Sequence, residues 1–432
     1  MRISIVGSGH VGLVSGACFA ELGNQVVCAD RDVKKINNLK QGVVPIYEPG
    51  LKELITSNLK NKRLKFTSSI KEAVKGSEII FITVGTPSLE NGEVDLTGVE
   101  NVARSIAQNM DGYRLIVEKS TVPVETCAWI KKTIVTCIKN KHKFDVVSNP
   151  EFLREGCAIN DFNHPDRIVL GLETLKAKQI MINLYQPLNA PILITNIKSA
   201  ELIKHASNSF LAMKISFINA LARICERVGA DVKEVAKGMG LDNRIGRYFL
   251  EAGIGYGGFC FPKDLDAFIT ISDKLGYDFK ILKAVRNTNQ EQKNFVLQKV
   301  KAALRIIKGK TIAVLGLSFK PNTDDLRNSP SIDLINALIQ AGAKIKAYDP
   351  FAMEKAAKIL NKVVFCKDAY QAASGSDCLI LATEWDEFKK LDFVRLKKKL
   401  KRALIFDGRN IYDPKMLRDL GFTYMGVGRL NG

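Results

Sequence analysis

Ile3-Ser4-Ile5-Val6-Gly7-Ser8-Gly9-His10-Val11-Gly12, at the head of the chain, decides the fold. A short apolar run enters a glycine turn. A small-residue helical stretch then continues to about Leu22, and a second strand-like run, Gln25 to Ala29, ends at Asp30. Glycine is needed at such a turn for different reasons: Gly7 for the tight bend, Gly9 for close approach of a pyrophosphate, Gly12 for helix–strand packing. The start of the helix, Val11 included, offers that phosphate backbone donors and a favourable dipole. Asp30 lies eighteen residues past Gly12, where a carboxylate accepts from ribose hydroxyls and repels a 2′-phosphate. NAD is thereby favoured over NADP, with Arg31 beside it pulling the other way. The glycine pattern alone is weak; followed by a helix and an acid it is strong.

Strand-then-helix alternation continues outward. Glu78–Val84 reads as a buried strand ending at Gly85-Thr86-Pro87, Arg114–Glu118 as one ending at Lys119-Ser120-Thr121-Val122-Pro123, and Phe144–Val147 as one ending at Ser148-Asn149-Pro150-Glu151. Ligands of open α/β sheets gather at the carboxyl ends of strands, which makes Thr86, Thr121 and Glu151 site candidates by topology. A second α/β unit begins near Lys310, with strands at Thr311–Gly316, Lys344–Tyr348, Cys378–Ala382 and Ala403–Phe406. It lacks the full glycine pattern, and a nucleotide-like ligand other than the dinucleotide is its natural occupant.

Between the two, Lys198 to Val228 forms one long helical pattern, apolar nearly all round, as in a helix buried between domains or subunits. Lys204 and Asn208 fall on one face of it. A snorkelling lysine is the plain alternative to an active-site one. The segment Gly255-Tyr256-Gly257-Gly258-Phe259-Cys260-Phe261-Pro262-Lys263-Asp264 places a cysteine after a flexible turn and just ahead of a helix, since Pro262 suits a first helical turn. A helix N-terminus and a nearby Lys263 both favour the nucleophilic thiolate; a buried structural cysteine is the alternative.

Composition bounds these readings. With 432 residues, 46% hydrophobic and 25% charged, the chain is an ordinary globular protein of two or three domains. Its nine cysteines are scattered without a C-x-x-C pair, which argues against a disulfide framework or zinc site and for a reducing, cytoplasmic compartment. The N-terminus reads as a strand rather than a signal peptide, and no apolar run reaches membrane-spanning length. The formal charge of +19 raises nucleic-acid binding, with Arg395–Arg402 the densest run. Its apolar residues recur as on an amphipathic helix, so a solvated basic face, and a general attraction for phosphorylated ligands, fit better.

The motifs together resemble the UDP-glucose/GDP-mannose dehydrogenase family over essentially the whole length. The resemblance rests on the glycine turn, Val84-Gly85-Thr86-Pro87, Ser120-Thr121-Val122-Pro123, Asn149-Pro150-Glu151-Phe152-Leu153-Arg154-Glu155-Gly156 and Pro165-Asp166-Arg167-Ile168-Val169. It continues through Lys204 with Asn208, the Cys260 segment, Gly316-Leu317-Ser318-Phe319-Lys320-Pro321 and Thr323-Asp324-Asp325-Leu326-Arg327. Phe259 and Ile254 stand where the family often has a serine and a proline.

This resemblance implies two Rossmann-like, doubly wound parallel-sheet domains joined by a long central helix. The divisions expected are an NAD-binding domain at 1–196, a helical dimerisation domain with the cysteine loop at 197–300, and a UDP-sugar-binding domain at 301–432. It implies oxidation of a sugar C6 alcohol to the acid with reduction of two NAD, UDP-glucose being the favoured substrate and GDP-mannose or UDP-N-acetylmannosamine the alternatives. Cys260 would be the nucleophile, Lys204 and Asn208 would hold the oxyanion, and Glu151, Asp264 and Thr121 would serve the waters. Cofactor contacts carried over are Gly7, Gly9, Val11, Gly12, Asp30, Lys35, Thr86, Thr121, Glu155, Lys263 and Arg327. For the UDP-sugar they are Phe152, Leu153, Arg154, Glu155, Lys204, Asn208, Phe249, Leu250, Glu251, Ala252, Gly253, Gly257, Phe319, Lys320 and Arg409, with Arg244 reaching a neighbouring subunit. No metal, membrane or nucleic acid is expected. A hydroxy-acid dehydrogenase would leave Cys260 idle, and a redox sensor would leave Lys204, Asn208 and Asp264 without a task.

Overall fold

The computed structural model describes residues 1–89, 91–139 and 142–429. These fall into two compact units, Met1–Ser207 with Asp266–Leu275 and Asn208–Leu265 with Gly276–Gly432.

The first unit is built on strands β1 (Arg2–Val6), β2 (Gln25–Ala29), β3 (Leu64–Thr67), β4 (Ile79–Ile82), β5 (Arg114–Glu118), β6 (Phe144–Ser148), β7 (Ile168–Gly171) and β8 (Ile192–Thr195). Their order is β3-β2-β1-β4-β5-β6-β7-β8. Every pairing is parallel except β6 with β7, which meet antiparallel at Ser148 and Gly171. The sheet is therefore parallel through its first six strands and turns over at one edge. Period-two alternation explains the continuous apolar runs. Ile79 and Phe81 join Ile5, Phe19 and Leu115 in one cluster, whereas Ile80 and Ile82 join Val102, Ile116 and Ile130 in another. Helices cover both faces, so both sets of side chains are buried; each contributes roughly 1.5–3 kcal/mol of apolar burial.

The second unit carries β9 (Thr311–Leu315), β10 (Lys344–Tyr348), β11 (Val363–Phe365), β12 (Cys378–Leu381), β13 (Leu404–Asp407) and β14 (Thr423–Met425). The order β11-β10-β9-β12-β13-β14 is all parallel and repeats the winding of the first six strands. In each sheet the strand order reverses beside its first strand, so a ligand crevice opens at the carboxyl ends of β1 and β4, and again of β9 and β12. The basic run forms helix Phe393–Lys399, with Leu396 buried and its lysines exposed, a solvated face.

Two long helices pass between the units in sequence. Helix Ile197–Val228 has 32 residues. Its all-round apolar sequence predicts burial on every side, but the chain itself leaves Phe210, Phe217 and Ile224 exposed at 58%, 55% and 54%. Ala212, Ile218, Ala222 and Cys225 are buried. Helix Cys260–Lys274 starts at the cysteine itself, rather than just after it.

Candidate active site

In the first unit the glycine turn is built as its sequence predicts. Gly7 has φ +110°, and a Cβ there would stand 2.6 Å from the Thr83 carbonyl oxygen. Thr83 Oγ1 donates to the Gly7 carbonyl at 2.8 Å. A Cβ on Gly9 would meet nothing within 4 Å, so the turn presents bare backbone outward there. The helix begins at His10, with Val11 half-buried and Gly12 buried behind it. Asp30 accepts from Ser8 N at 2.9 Å and Asp32 N at 3.0 Å, and Lys35 Nζ lies 2.7 Å from its carboxylate. Burial pushes the Asp30 carboxyl up, but the Lys35, Asp32 and Ser8 hydrogen bonds prevail and hold it below the usual range. An ionised acid beside a bare, positively polarised turn fits the adenosine ribose and pyrophosphate of NAD.

At the carboxyl ends of the neighbouring strands, Thr86 Oγ1 donates to the Thr121 carbonyl at 2.9 Å. The Asn149–Gly156 segment is a loop. Glu151 and Glu155 therefore do not share a helix face, as their spacing alone would allow; Glu151 is buried and Glu155 half-buried. Lys204 Nζ lies 3.1 Å from Glu151 Oε1, both side chains being 5% exposed. Leu153 N donates to Glu151 Oε2 at 2.6 Å, and the Phe152 ring has Arg167 at 3.7 Å and Lys204 at 5.3 Å from its centre. Arg154 turns to an exposed ion pair with Asp161 at 2.6 Å.

Two buried ionisable groups here were missed at the sequence level. Lys119 Nζ lies 3.2 Å from Asn149 Oδ1 and 3.4 Å from the Tyr185 hydroxyl. Burial pulls its ammonium down to about 8, with Glu151 opposing and Lys204 assisting. Burial likewise pushes the Glu118 carboxyl up to about 8, against the hydrogen bonds from Ser120 and with Glu201 adding to the rise. Their signal was position: both stand where β5 ends.

In the second unit the Phe249–Cys260 loop is pinned along its length. Phe249 holds φ +64°, a strained backbone for an aromatic residue. Leu250 and Ala252 are buried and Glu251 is exposed. Gly253 N donates to Asn219 Oδ1 at 2.9 Å, and a Cβ on Gly253 would stand 2.8 Å from the Gly408 carbonyl oxygen. A Cβ on Gly257 would run into the Asn328 carbonyl, and one on Gly258 into the Phe319 ring. Arg409 donates to the Phe319 carbonyl at 3.1 Å and pairs with Glu384 at 3.2 Å. The Lys320 ammonium lies 5.5 Å from the Phe319 ring centre. Loop 249–259, Phe319 with Lys320, and Arg409 thus gather at the carboxyl ends of β9 and β13.

Half-buried Cys260 opens its helix. One turn on, buried Lys263 lies 2.6 Å from Asp264, whose other oxygen accepts from Asn208 Nδ2 at 2.6 Å. Beside the cysteine, the Phe259 ring has Arg327 at 4.2 Å and Lys263 at 5.5 Å. A thiol at a helix start with a lysine in the first turn suits thiolate chemistry. Arg244 is exposed and paired with Asp242 at 2.6 Å.

Comparison with known proteins agrees with the motif resemblance. The NAD binding domain of the UDP-glucose/GDP-mannose dehydrogenase family matches residues 1–189, its central domain 198–291 and its UDP binding domain 313–414. A UDP-glucose 6-dehydrogenase of Bacillus subtilis (strain 168) is 49% identical over 429 residues, spanning 99% of this chain and 93% of that protein. The solved UDP-glucose dehydrogenase of Pyrobaculum islandicum superposes with a TM-score of 0.93 at 38% identity, covering 99% of this chain and 98% of its own. A UDP-D-ManNAc dehydrogenase from Pyrococcus horikoshii gives 0.87 at 27% identity, covering 99% of each chain. The chain therefore belongs to the UDP-glucose/GDP-mannose dehydrogenase family, as an oxidoreductase whose cofactor is NAD.

Proposed function

We propose that the protein oxidises the C6 alcohol of UDP-glucose to UDP-glucuronate in two steps, through a thiohemiacetal and a thioester at Cys260. The observation that carries this reading is the start of helix Cys260–Lys274. There a half-buried thiol precedes a buried Lys263 and an Asp264 fixed by Asn208. A simple alcohol dehydrogenase has no use for such a thiol. The relatives named for UDP-glucose favour that sugar over GDP-mannose and UDP-N-acetylmannosamine.

Gly7, Gly9, Val11, Gly12, Asp30, Lys35, Thr86, Thr121, Glu155, Lys263 and Arg327 would hold NAD, which supplies a hydride acceptor for each oxidation. The chain's own residues do the rest. A water held by Asp264 and Lys204 takes the C6 hydroxyl proton as the hydride leaves. The Cys260 thiolate adds to the aldehyde carbon, and Lys204 with Asn208 stabilises the resulting oxyanion. Loss of the second hydride leaves the acyl group on sulfur. Water activated among Glu151, Asp264 and Thr121 then breaks the C–S bond, returning the thiolate and releasing the carboxylate. The net change consumes one water and reduces two NAD.

For the sugar nucleotide, the reading assigns the Phe152–Glu155 segment, Lys204, Asn208, Phe249–Gly253, Gly257, Phe319, Lys320 and Arg409. It keeps the division at 1–196, 197–300 and 301–432, and it places the enzyme in the cytoplasm. Phe210, Phe217 and Ile224 form an exposed apolar stripe along one helix, which supports a homodimer, with Arg244 reaching the neighbouring site.

The decisive experiment is NADH formed per UDP-glucose consumed, run to completion. Two per sugar is expected; one per sugar would reduce the protein to an alcohol dehydrogenase and remove Cys260 from the chemistry.

A further inference from the structure

His10 is the first helical residue after the glycine turn, and its Nε2 lies 2.7 Å from Glu48 Oε2. Glu48 is 5% exposed and lies outside every helix and strand. Its carboxylate also accepts from Gly156 N at 2.6 Å and from Ala158 N at 2.8 Å. One buried carboxylate thus ties the cofactor turn to the end of the Phe152–Gly156 loop, more than a hundred residues away in sequence. The mechanism above uses neither residue.

The titratable groups that face the imidazole are Glu48 from its own segment and Glu151 and Glu155 from the loop. Burial pulls the His10 pKa down. The Glu48 hydrogen bond and the charges of Glu155, Glu48 and Glu151 outweigh it and hold the proton above the usual 6.5.

We propose that His10 and Glu48 form a proton-dependent positioning pair that couples NAD binding to the placement of the Phe152–Gly156 loop. A pyrophosphate arriving at the start of helix His10–Glu21 brings negative charge to a site where the imidazolium, if present, adds positive charge beyond the helix dipole. Cofactor binding therefore takes up a proton from solvent whenever His10 is neutral beforehand. Glu48 Oε2 meets both the imidazole and the Gly156 amide while Oε1 takes the Ala158 amide, so whatever holds the carboxylate at His10 also holds the loop. The part of this inference that concerns the sugar rests on the proposed assignment of Phe152–Glu155 to the UDP-sugar.

The sign follows from the direction of the His10 shift. The contribution to NAD affinity is complete on the acid side and lost as pH rises through a pKa above 6.5. The experiment is NADH binding by fluorescence without sugar, from pH 6 to 9, for wild type, H10Q and E48Q, with proton uptake measured calorimetrically in buffers of different ionisation enthalpy. Wild type should weaken about tenfold across the range, the equivalent of one pKa unit of linkage. H10Q keeps a neutral donor to Glu48 and should bind with a flat profile and no proton uptake. E48Q should move the step to lower pH and raise the KM for UDP-glucose more than it lowers kcat. A flat wild-type profile, or the same step in H10Q, overturns the pair. If NADH behaves as expected but UDP-glucose is not a substrate of wild type, the sugar assignment fails while the proton linkage of His10 stands.

Discussion

The two sheets share one winding and differ in what they leave open. At the end of β1, Gly7 has φ +110° and its N–H donates to the Ala29 carbonyl at 2.8 Å. At the end of β9, Gly316 has φ +91° and donates to the Tyr348 carbonyl at 2.9 Å. Asp30 and Asp349 follow the next strands, β2 and β10, at matching places. Beyond that the sheets part. A helix begins at His10 in the first, whereas the second runs through an irregular segment until Pro330. The Asp30 side chain is 11% exposed and takes two backbone N–H groups and one lysine. Asp349 is fully buried and takes backbone N–H groups from Leu317, Ser318, Phe351 and Ala352, and Trp385 Nε1 at 3.1 Å. Its acceptors are spent within the protein. A doubly wound sheet is thus a frame for a ligand, and the ligand is decided by whether the acid after the second strand still has a lone pair to offer.

The largest expected effect separates chemistry from cofactor. On the proposed mechanism Cys260→Ala abolishes steady-state turnover while NAD affinity, carried by the first unit's turn and Asp30, stays nearly intact. Steady-state assay with parallel NADH titration checks this, and an active variant would take the thioester out of the mechanism. Lys204→Ala comes next, with kcat down at least ~10²-fold, the scale of an oxyanion stabiliser. It also leaves buried Glu151 without its ion-pair partner, so a melting curve must accompany the kinetics. A change confined to KM would make Lys204 a binding residue only.

The two aspartates test the contrast directly. Asp30→Asn should raise the KM for NAD by roughly tenfold or more, since hydrogen bonds to a charged group are worth about 1.5–3 kcal/mol. It should also admit some NADP, because the repulsion of a 2′-phosphate is gone. Asp349→Asn should leave the KM for NAD unchanged and cost about 2–3 kcal/mol of stability, because the amide nitrogen cannot accept from the donors on its side. Denaturant titration reads the second effect, and a shifted KM for NAD in Asp349→Asn would erase the distinction between the sheets.

Much of this was legible in the chain. Apolar runs and glycine turns located β1, β2, β4, β5, β6, β9, β10, β12 and β13 within a residue or two, and the acid after the second strand pointed to NAD; the short strands β3, β7, β8, β11 and β14 went unread. Asn208 and Asp264 were singled out in sequence, and their 2.6 Å hydrogen bond falls within one unit. The rest depends on which remote segments a fold folds back together, which local pattern does not encode. Glu48 sits in an irregular stretch, and nothing near it in sequence signals the Gly156 amide it holds. Lys119 reads as one more lysine in a basic chain until burial sets it apart. The helix Ile197–Val228 is a different case: Phe210, Phe217 and Ile224 are exposed on the single chain, because apolar residues on all sides say that a face is covered without saying by what.

The smallest expected effect concerns the cysteine loop. Phe259 stands where the family often has a serine, and its ring centre lies 4.2 Å from the Arg327 guanidinium and 5.5 Å from the Lys263 ammonium. The loop is already held through its own backbone, with Gly258 N donating to the Arg327 carbonyl at 2.9 Å and the Asn328 side-chain amide donating to the Gly258 carbonyl at 3.0 Å. The ring adds cation–π attraction at a half-buried site, about 0.5–2 kcal/mol in all. Phe259→Ser should therefore leave Cys260 in place and kcat within about threefold, while loosening the two cations. On the proposed assignment of Lys263 and Arg327 to the cofactor, the KM for NAD should rise a few-fold with the KM for UDP-glucose unchanged. If the KM for UDP-glucose moves instead, those cations serve the sugar nucleotide and the second unit's loop belongs wholly to it. If neither KM moves, the ring's packing against them is structural, and the loop's order comes from the hydrogen bonds at Gly258.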